Sequence, residues 1–223
     1  MATAYFKSEV FVFLKQLKKN NRRPWFLKNR ERFEEVARQP SLRFIGDLGF
    51  RLRPISTWLE VNPKPNGGSL LRIYRDIRFS SDKTPYKTNI GMHFPHAGSR
   101  NEVHGPSLYF HIEPGASFLA GGAWQPDKLS LAKIRDAISW NATDWKKAIR
   151  GLNLGGSALT RPPRGYPCDH PMIADIKRKD FIASIEFTES QICSARFLDD
   201  FLKAARKLSP LLAFLARAEG LQF

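Results

Sequence analysis

Across residues 61–69 the chain sets Pro63, Pro65, Gly67 and Gly68 close together, and the period of its apolar residues changes there. Before this loop, apolar side chains recur at helical spacing; after it, they alternate with polar ones. A helical layer followed by a run of strands predicts an α+β fold, a single domain with an antiparallel sheet of four to five strands packed against helices. The 223 residues suit one domain with a substantial core. It divides into an N-terminal helical layer (1–60), a central antiparallel meander (69–124) and a mixed, mostly helical part (126–223).

Val10, Phe13, Leu14 and Leu17 predict a helix over 8–19, ending at Asn20 and Asn21, which tolerate a left-handed conformation. Pro24 suits the first turn of a second helix carrying Trp25, Phe26 and Phe33 and ending before Gln39-Pro40. Leu42, Ile45, Leu48 and Leu52 make a third, stopped near Pro54. Alternation predicts strands over 70–79, 86–94, 107–113 and 116–120, and one more over 181–187. Later helices are expected from Pro126-Asp127, over 141–149, from Pro171, over 189–207 and over 210–219.

In a strand, successive side chains point to opposite faces. Arg72, Tyr74, Asp76 and Arg78 therefore share a face, as do Lys87, Asn89, Gly91 and His93, and Tyr109, His111 and Glu113. If the register aligns them, one sheet face collects fixed donors and titratable groups, a composition suited to a polar or anionic ligand. The alternative is an ordinary solvated face. Arg72, Arg78 and Lys87 are the candidate anchors for a phosphate or carboxylate, since guanidinium donates a planar pair of hydrogen bonds and lysine adds a mobile charge. Tyr74, Tyr86 and Tyr109 would shape the site, and the turn SSDKTP would present Lys83 and Tyr86. Asp76 or His111 could move a proton, although Asp76 equally suits orienting Arg78. Arg75, out of phase with its polar neighbours, reads as structural. Arg164 and His170 stand in the loop RGYPCDHP before a helix, where they could join the site or cap that helix.

Five histidines invite a metal reading, but His93-x-x-His96 is not a ligand spacing and no HExxH motif occurs, so neither a metal nor a cofactor is nominated. The turn lacks the glycines of a phosphate loop, and Pro85 removes an amide. Gly121-Gly122 can admit a close backbone or a ligand. The formal net charge of +15 points to acidic partners and keeps a nonenzymatic nucleic-acid-binding module as the alternative, with Lys18, Lys19, Arg22 and Arg23 as its basic group. That charge is spread along the chain: residues 1–60 hold 13 basic and 6 acidic side chains, 61–125 hold 7 and 4, and 126–223 hold 16 and 11. A scaffold or interaction protein is a third possibility. Two unpaired cysteines, Cys168 and Cys193, and the absence of an apolar leader or membrane span give a cytoplasmic expectation without membrane insertion.

The run RIYRDIRFSSDKTPYKT (72–88), with NNRRPWF (20–26), GGAWQP and RGYPCDHP, resembles the family known as domain of unknown function 2461 over nearly the whole chain. Arg72, Tyr74, Arg75, Asp76, Arg78, Phe79, Ser80, Asp82, Lys83, Thr84, Pro85, Tyr86 and Lys87 match its signature. The resemblance implies that this region matters and carries no activity over to it.

Overall fold

The computed structural model describes residues 3–99 and 105–223; His104 lies outside them. The chain opens with helix α1 (Glu9–Lys19), whose Val10, Phe11, Phe13, Leu14 and Leu17 are buried. It ends without a left-handed residue. Asn20 has φ −129° and instead closes the helix with its main-chain and side-chain N–H groups, both donating to the Gln16 carbonyl at 3.0 Å.

Pro24 sits in the first turn of α2 (Arg23–Lys28), which is followed by α3 (Arg30–Phe33). The expected stop before Pro40 does not occur. A π-helical turn, Glu34–Arg38, carries the chain into α4 (Gln39–Leu52). Proline donates no hydrogen bond to the carbonyl four residues back and crowds it, and a widened turn directly before it accommodates both defects.

Among the described residues the sheet has five strands, all antiparallel: β1 (Ile90–Pro95), β2 (Ser107–Ile112), β3 (Ser117–Ala123), β4 (Leu154–Gly155) and β5 (Phe181–Phe187). Their spatial order is β1-β2-β3-β5-β4. The register pairs Met92 with Phe110, Phe110 with Leu119, and Leu119 with Ile185, which puts the apolar sets on one face. Phe110 is the hub of that face, with ring centroids of Phe197 and Phe201 at 5.4 Å and of Phe44 at 5.9 Å. Gly122 answers the expectation for its glycine pair: at φ 139°, a Cβ there would lie 1.9 Å from the Phe181 carbonyl, so the residue admits a neighbouring backbone.

The C-terminal part supplies α5 (Lys128–Trp140), α6 (Ala142–Ala148), α7 (Ile173–Ile176), α8 (Glu189–Ile192) and α9 (Phe197–Ala218). Asp127 caps α5 by accepting from the Leu129 and Ser130 amides. The predicted break at Pro210 is absent, and α9 runs through it for 22 residues. The Ser209 hydroxyl donates to the Arg206 carbonyl at 2.9 Å, filling the acceptor that Pro210 cannot. Burial of Phe197, Phe201, Leu208 and Leu212 against the core then outweighs the local penalty.

The largest departure from expectation is residues 70–79, which form no regular strand. The segment pairs with the rest only at isolated bridges, Leu70 with Met92 and Tyr74 with Tyr86. Regular structure begins at Ile90, because Thr88 and Asn89 form a bend. Residues 72–87 fold instead as an irregular arm, closed by Arg75 N–H to the Pro85 carbonyl (2.9 Å) and Lys87 N–H to the Ile73 carbonyl (2.7 Å). Its aspartates explain why. Asp76 accepts from the Arg78 amide and Asp82 from the Thr84 amide, so side chains take the donors that a ladder would use. No described helix is long and apolar enough to cross a membrane.

Candidate functional site

Two clusters meet at Asn89. The first lies on the face of the sheet opposite the apolar core. There His111 Nε2 is 3.0 Å from Glu113 Oε2, and His111 Nδ1 is 3.1 Å from the Tyr109 hydroxyl and 3.3 Å from Asn89 Nδ2. With Glu113 as a carboxylate, Nε2 carries the proton and Nδ1 accepts. The ring is held flat on Phe118, with centroids 4.8 Å apart and planes at 8°. Gly91, opposite His111 in the register, makes room for Tyr109: a Cβ there would come within 2.9 Å of its hydroxyl. Burial pushes the Tyr109 phenol up, keeping it a hydrogen-bond donor, and burial pushes the His93 imidazole down. The line Tyr109–His111–Glu113 can pass a proton along its length.

The second cluster is a cleft of 280 Å³ between α2–α3 and the arm. Phe26, Phe33, Ile73 and Tyr74 give it apolar walls; Arg30, Arg72 and Asn89 also line it. Phe26 fixes the arm by stacking on Tyr86, centroids 4.1 Å apart. Asn21 completes the attachment, donating to the Tyr86 carbonyl at 2.8 Å and accepting from the Tyr86 amide at 3.1 Å. Among the described residues, Arg30 and Arg72 form no hydrogen bond or ion pair, whereas Arg38 at the same cleft is held by Glu34. Lys87, half-buried beside a second depression shared with Lys18 and Asn89, is likewise unpaired. Burial, and then the charge of Arg72, push its ammonium below the usual lysine range.

The expected residues thus divide into three groups. Arg72, Tyr74, Tyr86 and Lys87 surround the cleft and its neighbour, and Tyr109 and His111 join them through Asn89. Asp76, Arg78 and Lys83 point away at the exposed end of the arm. Asp76 holds Arg78 through hydrogen bonds to its guanidinium and amide, and these bonds bring its carboxyl down to about 2. Of the two uses that the sequence offered Asp76, these bonds fit the orientation of Arg78. Lys83 donates to the Ile77 carbonyl at 3.0 Å. Arg75 is structural, bound by Asp82 and Thr84.

Arg164 and His170 form the third group and belong to another part of the molecule. His170 bonds Ser139 of α5 at 2.9 Å and accepts from the Met172 amide at 3.0 Å, at the entry to α7. Tyr166 anchors the same loop to Asp136 at 2.6 Å. Arg164 is exposed and makes no hydrogen bond among the described residues. His170 thus holds the loop before α7, whose own N-cap residue, Met172, makes no side-chain cap hydrogen bond. Sequence reasoning left out Arg30 and the part played by Asn89. Arg30 lies 42 positions before Arg72 and shows nothing locally that links the two. Asn89 stood on the polar face by alternation, which was the available signal. Among the described residues, no three His, Cys, Asp or Glu side chains are grouped as a metal site.

A family model matches residues 9–214, spanning α1, the arm, every strand and most of α9. The chain belongs to the family described as "Conserved hypothetical protein (DUF2461)". The matched residues include both clusters described above. No curated protein and no solved structure matches the chain.

Proposed function

We propose that the cleft between α2–α3 and the arm binds the anionic group of a small phosphate- or carboxylate-bearing ligand. The observation that carries this reading is the pair Arg30 and Arg72, which line an aromatic-walled cleft and form no hydrogen bond or ion pair among the described residues, while Glu34, the acid in the lining, is held by Arg38. Guanidinium groups with no bonded carboxylate beside apolar walls favour a ligand that brings negative charge and a flat or apolar body. Tyr74 would cover that body, and Lys87 would add charge from the adjoining depression. Asn89 connects the cleft to the Tyr109–His111–Glu113 line, so a ligand there would meet a side chain held in place by His111.

The reading is tested by thermal shift and calorimetric titration with inorganic phosphate, nucleoside monophosphates, sugar phosphates and dicarboxylates. One class should bind saturably, and Arg72→Ala should weaken it about tenfold or more, the loss of one charge-assisted hydrogen bond. Binding that survives in the Arg30→Ala/Arg72→Ala double variant, or no binding by any of these anions, would overturn it.

A further inference from the structure

Folding concentrates a charge that the sequence spreads out. Residues 18–38 and 72–87 together hold 13 basic and 5 acidic side chains, a net +8 of the chain's +15 in 37 residues. The Phe26–Tyr86 stack and the Asn21–Tyr86 hydrogen bonds pin these two segments together. Of the five acids, Glu34, Asp76 and Asp82 are already bound by Arg38, Arg78 and Arg75. Lys18, Arg23, Arg30, Arg72 and Lys87 make no ion pair among the described residues.

Beside these cations stand aromatic rings that the core does not absorb. Tyr74 is 54% exposed, and Phe79, in the outer part of the arm, is 97% exposed. The Arg78 guanidinium lies 5.9 Å from the Phe79 ring centroid. Exposing a whole phenylalanine ring does nothing for this fold, and a cation, Arg78, stands over it.

We infer that the arm and the adjoining helices α1–α3 form a binding track for single-stranded nucleic acid, with the unpaired cations along its phosphates and Tyr74 and Phe79 under its bases. The inference rests on the anion reading of the cleft, which here takes one phosphate of the strand. A single strand fits better than a duplex, because bases must be unstacked from one another to lie on isolated rings. Binding is then tolerant of sequence and strongly dependent on salt.

The test is fluorescence anisotropy of a labelled single strand of about 12 nucleotides, run beside titrations with a nucleoside monophosphate. Five neutralised phosphates give a log–log salt slope near −3.5, about a hundredfold weaker binding between ~50 and ~200 mM salt. Phe79→Ala should weaken the strand about tenfold while leaving that slope and monophosphate binding unchanged. Arg30→Ala/Arg72→Ala should weaken both ligands and flatten the slope by about 1.4. If the monophosphate binds and depends on Arg72 while the strand binds no more tightly, the track is wrong and the cleft stands. If the strand binds with its affinity and slope unaltered by Arg30→Ala/Arg72→Ala, the cleft reading fails and the track loses its anchor. Equal affinity for a duplex of the same length, full competition by anionic vesicles, or an unchanged affinity in Phe79→Ala would each overturn the single-strand assignment.

Discussion

In β2, Leu108, Phe110 and Ile112 face the helices and are fully buried, while Tyr109 and His111 face the other way and are half-buried. The segment 71–79 starts with the same alternation, yet Leu71 is 38% exposed, Phe79 is 97% exposed and, of Leu71, Ile73, Ile77 and Phe79, only Ile73 reaches the core. The two segments differ in what competes for their backbone. β2 lies between two strands and its amides are taken by ladders, whereas in the arm Asp76 and Asp82 bind main-chain amides and Pro85 has none to give. Alternation produces a strand where partner edges outbid the local side chains, and otherwise produces a shaped loop. Such loops are where binding residues tend to be carried, on a scaffold that does not move with them.

That contrast breaks most visibly at Phe110. Phe110→Ala removes the hub ring of the core, and should lower stability by about 3–5 kcal/mol in denaturant unfolding. A loss below ~1 kcal/mol would mean that the helices close over the gap, and that the sheet face is less tightly specified than the rings suggest.

Asp180 gives a middle-sized effect at the far end of the sheet. It is buried and accepts from the Gln125 amide at 2.9 Å, the Ser157 amide at 2.8 Å and the Ser157 hydroxyl at 2.9 Å. Burial works to raise its carboxyl pKa, but the hydrogen bonds from Ser157 and Gln125 outweigh that and hold it below the usual range. Because the folded value is depressed, its contribution is present above the unfolded value near about 3.9 and is lost as pH falls through the folded one. Asp180→Ala should cost about 1–3 kcal/mol at neutral pH and remove that part of the acid dependence. An unfolding-versus-pH curve parallel to wild type at every pH would contradict the assignment.

The smallest global effect belongs to the arm. Arg75→Ala frees Asp82 and Thr84, so amide hydrogen exchange over 76–84 should accelerate while the unfolding midpoint stays where it was. A midpoint that falls with the arm would show that arm and sheet unfold as one unit, which would blur the distinction between them.

Much of the fold was legible because its signals are local. The 181–187 strand follows from the alternation in FIASIEF and the α5 start from Asp127. Two prolines misled in the same way. Pro40 is read as a stop and Pro210 as the start of a new helix because each costs a hydrogen bond, but a π-helical turn and the Ser209 hydroxyl offset that cost where the buried helix face is large. The two-residue strand β4 gave no periodic signal at all.

By itself the sequence determined the layer of helices and the strands β1, β2, β3 and β5 with their buried faces, since each rests on spacing along a few turns or pleats. Tertiary structure decided the rest. It drew Arg30 to Arg72, set Asn89 between the cleft and His111, left Asp76 and Arg78 as an exposed pair, and bonded His170 to α5. It also attached the basic stretch around residues 21–26 to the basic arm through Tyr86. These outcomes depend on which surfaces pack, an energy balance over residues far apart in the chain that no local pattern encodes.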